Sequence, residues 1–128
     1  MPTVGLDHTI VLARDNRASA EFLAGLLGLE VGEPWGPFVP LRLSNGVTLD
    51  YVSVDHDIPL QHLAFLVPEE DFDAVLDRIR AAGLEHFADP RMTQPGINHN
   101  HGGRGVYFLD PAGHGMEVLT APYGTTGA

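Results

Sequence analysis

Three polar residues each stand alone in an apolar run: His8 in Leu6-Asp7-His8-Thr9-Ile10-Val11-Leu12, His62 in Leu60-Gln61-His62-Leu63-Ala64-Phe65-Leu66, and Glu117 between Met116 and Val118. A carboxylate is almost never buried unless it is paired or bound to a metal, so Glu117 needs a partner. Two neutral imidazoles and one carboxylate make a donor set for a divalent ion, here His8, His62 and Glu117, and three protein ligands leave about three positions of an octahedral ion open. Those positions suit a small molecule that chelates through adjacent oxygens, such as a catecholate, an enediolate or a hydroxy-ketone, with one more for dioxygen or water. In such chemistry the ion is Lewis acid and template, and Fe(II) also carries electrons to oxygen.

Other residues surround this set in the sequence. Asp50 follows Thr48 by two and shares its strand face, which makes it a partner orienting a ligand histidine, a base acting on substrate, or a strand-end aspartate facing solvent. Asn98-His99-Asn100-His101-Gly102-Gly103 is polar and glycine-rich; it reads as a plain surface loop first, and otherwise as a lid or as the source of an acid/base histidine, His101. Tyr107, Arg104 and Thr48 are candidates to hydrogen-bond substrate oxygens, against ordinary strand packing for Tyr107. His56, His86 and His114 read as solvated.

The elements that must position these residues follow from pattern. Asp15 is a helix N-cap ahead of Ala18, Phe22, Leu23, Leu26 and Leu27 at helical spacing, and Gly28 ends that helix. Leu29 to Gly32 reads as a short strand, and Phe38 to Leu43 with Val47 to Val54 form a hairpin about Asn45-Gly46. After a linker at 55–59 the pattern restarts: the strand around His62, a helix from Pro68 through Phe72, Val75, Leu76, Ile79 and Ala82 closed by Gly83, and a hairpin with Asp110-Pro111-Ala112-Gly113 as its turn. Matching the halves sets His8 against His62 (62 − 8 = 54) and Gly46-Val47-Thr48-Leu49 against Gly115-Met116-Glu117-Val118 (115 − 46 = 69), which makes Thr48 the counterpart of Glu117. In the first strand His8, Ile10 and Leu12 share one face, and Thr9 and Val11 face the helix.

A chain of 128 residues, 44% hydrophobic and 19% charged, is one soluble domain's worth. The expected organisation is a single domain over 1–128, with modules at 4–54 and 60–121 and a flexible C-terminal tail at 122–128. A net charge of −10 with only 7 Lys and Arg argues against nucleic acid as a partner. No cysteine is present, so a metal must be held by His and carboxylate. No run suits a bilayer or a signal peptide, and the cytoplasm is the expected location.

The paired βαβββ pattern, Tyr107-Phe108-Leu109-Asp110-Pro111-Ala112-Gly113-His114 leading into Met116-Glu117-Val118, and the histidines of Asp7-His8-Thr9 and Gln61-His62-Leu63 together resemble the vicinal oxygen chelate superfamily of glyoxalases, bleomycin-resistance proteins and extradiol dioxygenases. The resemblance implies an α+β fold, two tandem βαβββ modules related by a pseudo-twofold around a curved mixed-sheet cup. It also implies a divalent metal on His8, His62 and Glu117, a substrate with vicinal oxygens, and a homodimer. Glyoxalase I adds a carboxylate ligand where the repeat puts Thr48, whereas the three-ligand set is most like a dioxygenase, with Fe(II) first and Mn(II), Ni(II) or Zn(II) as alternatives. Fosfomycin-modifying enzymes share the set but need cations for a phosphonate, and from Ala81 onward there are only Arg91 and Arg104. A glyoxalase-like lyase or isomerase and a metal-independent antibiotic-binding protein are the other readings.

Overall fold

A computed structural model describes residues 2–123; the tail expected at 122–128 lies outside the described residues from 124 on. The chain has an α+β fold and divides into two compact units, 1–59 and 60–128. The first contains β1 (His8–Ala13), α1 (Asn16–Leu27), β2 (Phe38–Arg42) and β3 (Thr48–Ser53); the second contains β4 (His62–Leu66), α2 (Glu69–Ala81), β5 (Gly105–Leu109) and β6 (Gly115–Leu119). Among the described residues no helix is long and apolar enough to cross a membrane.

Each unit has one mixed three-stranded sheet, ordered β1-β3-β2 and β4-β6-β5, in which the last strand is central, parallel to the first and antiparallel to the hairpin partner. Alternation is visible in β1: Val11 and Ala13 are fully buried, whereas His8 and Ile10 are exposed. The Asp15 side chain caps α1 by accepting from the Ala18 N–H at 3.0 Å, and Gly28 ends it in the left-handed region at φ 73°. The buried face of α1 is Ser19, Ala20, Leu23, Ala24 and Leu26, shifted from the expected one, with Ala18 exposed. In α2 the buried residues are Phe72, Val75, Leu76 and Ile79, and three acidic residues in its first turn suit the positive end of the helix dipole.

The expected strand at Leu29 to Gly32 does not form. Gly32 donates its N–H to the Pro40 carbonyl at 2.9 Å, but Pro40 has no N–H to return, and a one-sided rung cannot propagate a ladder. The second unit has Tyr107 at the matching place, where Phe87 and Tyr107 exchange two backbone bonds of 2.8 Å, giving an isolated bridge. Each unit is therefore β-α-β-β.

The strand register also corrects the internal repeat. His8 pairs with Thr48 and His62 with Gly115, so β3 maps onto β6 with an offset of 115 − 48 = 67, not 69. Gly46 then matches Gly113, and both turn glycines have positive φ, 93° and 95°. The counterpart of Glu117 is Asp50 (117 − 50 = 67), with Ile10 and Ala64 as their parallel partners and Pro40 and Tyr107 as their antiparallel ones.

In the β5–β6 loop, Asp110 Oδ1 accepts from the N–H groups of Ala112 and His114 at 3.0 and 2.8 Å. Burial holds its carboxyl above the ordinary value, and Oδ2 has no hydrogen-bond partner among the described residues. His114, expected to be solvated, is fully buried with Nδ1 accepting from the Gln61 N–H at 3.0 Å.

Candidate functional site

In the second unit, β6 carries Glu117 between β4 and β5. Tyr107 lies directly opposite it on β5, and His62 is opposite Gly115, two residues before Glu117 on the same face. Because residue 115 has no side chain, the imidazole can lie across it; a Cβ there would sit 3.5 Å from His62 Nδ1. His62 Nε2 is 2.9 Å from Glu117 Oε1, and the carboxylate itself is 2% exposed.

The other carboxylate oxygen is also engaged. The Tyr123 hydroxyl donates to Glu117 Oε2 at 2.8 Å, and with its proton so directed it accepts from the Tyr107 hydroxyl at 2.9 Å. Burial, then the Tyr123 hydrogen bond and the Glu117 charge, push the Tyr107 phenol well above its ordinary pKa, so it stays protonated as a donor. The His62 and Tyr107 rings stack at 5.9 Å, and the His101 ring lies 4.5 Å from Tyr123. His101 belongs to a single 3-10 turn, Asn100–Gly102, and has φ 58°.

Tyr123 was missed from sequence because it lies past the last periodic strand, in what reads as a tail. Its signal was modest: one aromatic after Pro122 in a run of small residues, six positions from Glu117.

Arg104 does not point its charge at this cluster. Its Nε donates to both carboxylate oxygens of Glu69 at 3.1 Å, its Nη1 donates to Asp73 Oδ1 at 2.7 Å, and its guanidinium lies 4.6 Å over the Phe72 ring. These contacts tie the start of β5 to α2.

In the first unit, His8 is exposed at the head of β1, and its Nδ1 donates to Asp7 Oδ2 at 2.8 Å. That bond, opposed by burial and helped by the charges of Asp7 and Asp50, raises the His8 pKa above its ordinary value, and it leaves Nε2 as the lone-pair nitrogen. Thr48 is half-buried opposite His8 and donates its N–H to the Asp7 carbonyl at 2.9 Å. Asp50 is 5% exposed, and its Oδ1 has no hydrogen-bond partner among the described residues. It is not a strand-end aspartate facing solvent.

The donors of the second unit fit a divalent cation in kind: an imidazole nitrogen and a buried carboxylate oxygen 2.9 Å apart, with no Lys or Arg among the hydrogen-bond partners of Glu117. To bind an ion, His62 must move its proton from Nε2 to Nδ1 or release it. Among the described residues no group of three His, Asp or Glu is gathered, so the pair stands as two donors.

Comparison with known proteins gives a consistent result. The family model of the Glyoxalase/Bleomycin resistance protein/Dioxygenase superfamily matches residues 5–118. Glutathione transferase FosA of Serratia marcescens is 30% identical over 119 residues, 88% of this chain and 78% of that protein. Among solved structures, Oxidase ChaP-H2 is 58% identical with a TM-score of 0.93, covering 96% of this chain and 98% of that one. The fosfomycin resistance protein FosX of Listeria monocytogenes, as a mutant complexed with Mn(II) and 1S,2S-dihydroxypropylphosphonic acid, is 20% identical with a TM-score of 0.75 over 99% and 100% of the two chains, a likeness of fold alone.

Proposed function

Because the chain belongs to the Glyoxalase/Bleomycin resistance protein/Dioxygenase superfamily, we propose that it is a divalent-metal-dependent enzyme that binds a small substrate through vicinal oxygens and oxidises it in the manner of a dioxygenase. His8, His62 and Glu117 are the residues that would hold one ion per site, Fe(II) before Mn(II), Ni(II) or Zn(II). The observation that carries this reading is the buried Glu117 carboxylate facing His62 Nε2 at 2.9 Å. The 58% identity to a protein named as an oxidase supports it.

When bound, the ion supplies Lewis acidity, a template for chelation and, as iron, electrons to dioxygen. The protein's own residues do the rest. Asp50, whose Oδ1 has no hydrogen-bond partner among the described residues, would be the base that accepts a proton from a substrate hydroxyl. Tyr107, kept protonated, donates to Tyr123 and so steadies the phenol beside Glu117, and His101 stands by Tyr123 as an acid or base from the loop. The enzyme works as a homodimer in the cytoplasm.

A phosphonate substrate is disfavoured, since the Arg104 guanidinium is already held by Glu69 and Asp73. A glyoxalase-like lyase is the second reading, and one observation favours it: the strand register places Asp50, a carboxylate, where Thr48 had stood in the repeat.

The test is metal content after purification without chelator, then anaerobic Fe(II) loading and oxygen uptake on a panel of catechols and hydroxy-ketones. Substrate-dependent uptake supports the dioxygenase, and isomerisation without uptake supports the lyase. An unchanged metal content in His62→Ala, or chelator-insensitive binding of a cationic antibiotic without product, would sink the metal enzyme.

A further inference from the structure

We propose that Tyr123 is a positioning residue that fixes how Glu117 presents its carboxylate, holding Oε2 so that Oε1 alone is offered on the side of His62. The inference rests on the reading of Glu117 as a metal ligand. A carboxylate binds a cation through one oxygen or through both, and the choice decides how many positions remain for substrate and oxygen. Here the two oxygens are divided: Oε1 faces His62 Nε2 at 2.9 Å, and Oε2 accepts from the Tyr123 hydroxyl at 2.8 Å.

Tyr123 is held in that role from two sides. Tyr107 donates to its oxygen at 2.9 Å, which directs the Tyr123 proton toward Glu117, and a donor that is itself an acceptor is polarised and strengthened. The His101 ring lies 4.5 Å away and backs the phenol. Although Glu117 is 2% exposed, Tyr123 is 57% exposed, so the side chain that controls the carboxylate sits at the surface, where it can be altered without opening a core cavity.

The experiment uses Mn(II) alone on the full-length protein, measuring affinity and the number of exchangeable bound waters by water-proton relaxation. Tyr123→Phe removes only the hydroxyl. Freed Oε2 then joins Oε1 on the ion, and of about three open positions one is lost, a fall of about a third in bound water. Tyr123→Ala is expected to give the same fall, because the hydroxyl and not the ring is responsible.

Parental water number and affinity in Tyr123→Phe would overturn the inference, as would a fall confined to Tyr123→Ala, which would assign the effect to ring packing. Glu117→Ala tells this failure from that of the underlying reading: if it abolishes Mn(II) binding while Tyr123→Phe changes nothing, the metal site stands and the role of Tyr123 falls. If Glu117→Ala leaves Mn(II) binding intact, both fall together.

Discussion

Asp50 and Glu117 hold the same place in their two sheets: each lies on the central strand, two residues beyond the one paired with the histidine that heads the parallel strand. Their surroundings differ. Both oxygens of Glu117 are hydrogen-bonded, whereas Asp50 Oδ1 has no partner among the described residues. A buried, under-bonded carboxylate costs stability, so its retention points to a task.

Asp50→Asn is expected to lower turnover by about 10²- to 10⁴-fold, the range for a lost general base, while the melting temperature holds or rises because a buried charge has gone. Thr48→Ala should stay near parental activity. Steady-state kinetics with thermal unfolding checks both; full activity in Asp50→Asn would remove it from the chemistry.

Asp110 makes a pH prediction. Its folded pKa is raised above the ordinary 3.8 by burial, so between the unfolded and folded values the folded chain holds a proton that the unfolded chain has lost. Stability from this group is therefore complete below about 3.8 and is lost as pH rises through the folded value. Asp110→Asn keeps the Oδ1 acceptor for Ala112 and His114 without the charge, so its melting temperature relative to the parent should improve from pH 4 to pH 7. A constant difference across that range would refute the account.

Arg104→Gln should lower the melting temperature by a few degrees, a loss that shrinks as salt is added, because the pairs with Glu69 and Asp73 are partly solvent-screened. Its KM and kcat should stay close to parental. A large rise in KM at parental stability would instead return Arg104 to the substrate.

Gly103→Ala is expected to cost about 1–3 kcal/mol, as overpacking does. An added Cβ would lie 2.5 Å from Thr120 Oγ1 and 2.8 Å from Ala121 Cβ, and residues 120–121 lead directly to Tyr123. Denaturant unfolding should show the loss, and near-ultraviolet dichroism should report a moved tyrosine. An unchanged midpoint would mean that this backbone yields more readily than its contacts indicate.

The two helices were legible in sequence because capping and periodicity agree there: Asp15 and Gly28 bound α1, and Phe72, Val75, Leu76 and Ile79 face inward from α2. The meeting of His62 and Glu117 was legible for another reason, since a polar residue in an apolar strand announces that something must partner it. Strand register was not legible. Gly46 and Gly115 each stand just ahead of an apolar run, but Gly113 is the true counterpart of Gly46, and only backbone pairing shows which glycine turns and which makes room for His62. Pro40 hid the missing strand in the same way, since the defect lies in a hydrogen bond it cannot donate to a segment eight residues earlier. Tyr123 stayed hidden because a contact made by one exposed aromatic leaves no periodic trace.

In both units the central strand comes last. Until β3 is in place β1 and β2 have no neighbour in the sheet, and the closing contact joins His8 to Thr48, 48 − 8 = 40 residues along; in the second unit it joins His62 to Gly115, 115 − 62 = 53 residues along. The β2–β3 and β5–β6 hairpins close only short turns, whereas the parallel pairs close these long loops, so the rate-limiting barrier should be the docking of β1 on β3 and of β4 on β6. The residues most sensitive in folding kinetics should therefore lie on β3 and β6, the strands that carry Asp50 and Glu117. A substitution made there to probe chemistry will also change how fast the protein reaches its native state.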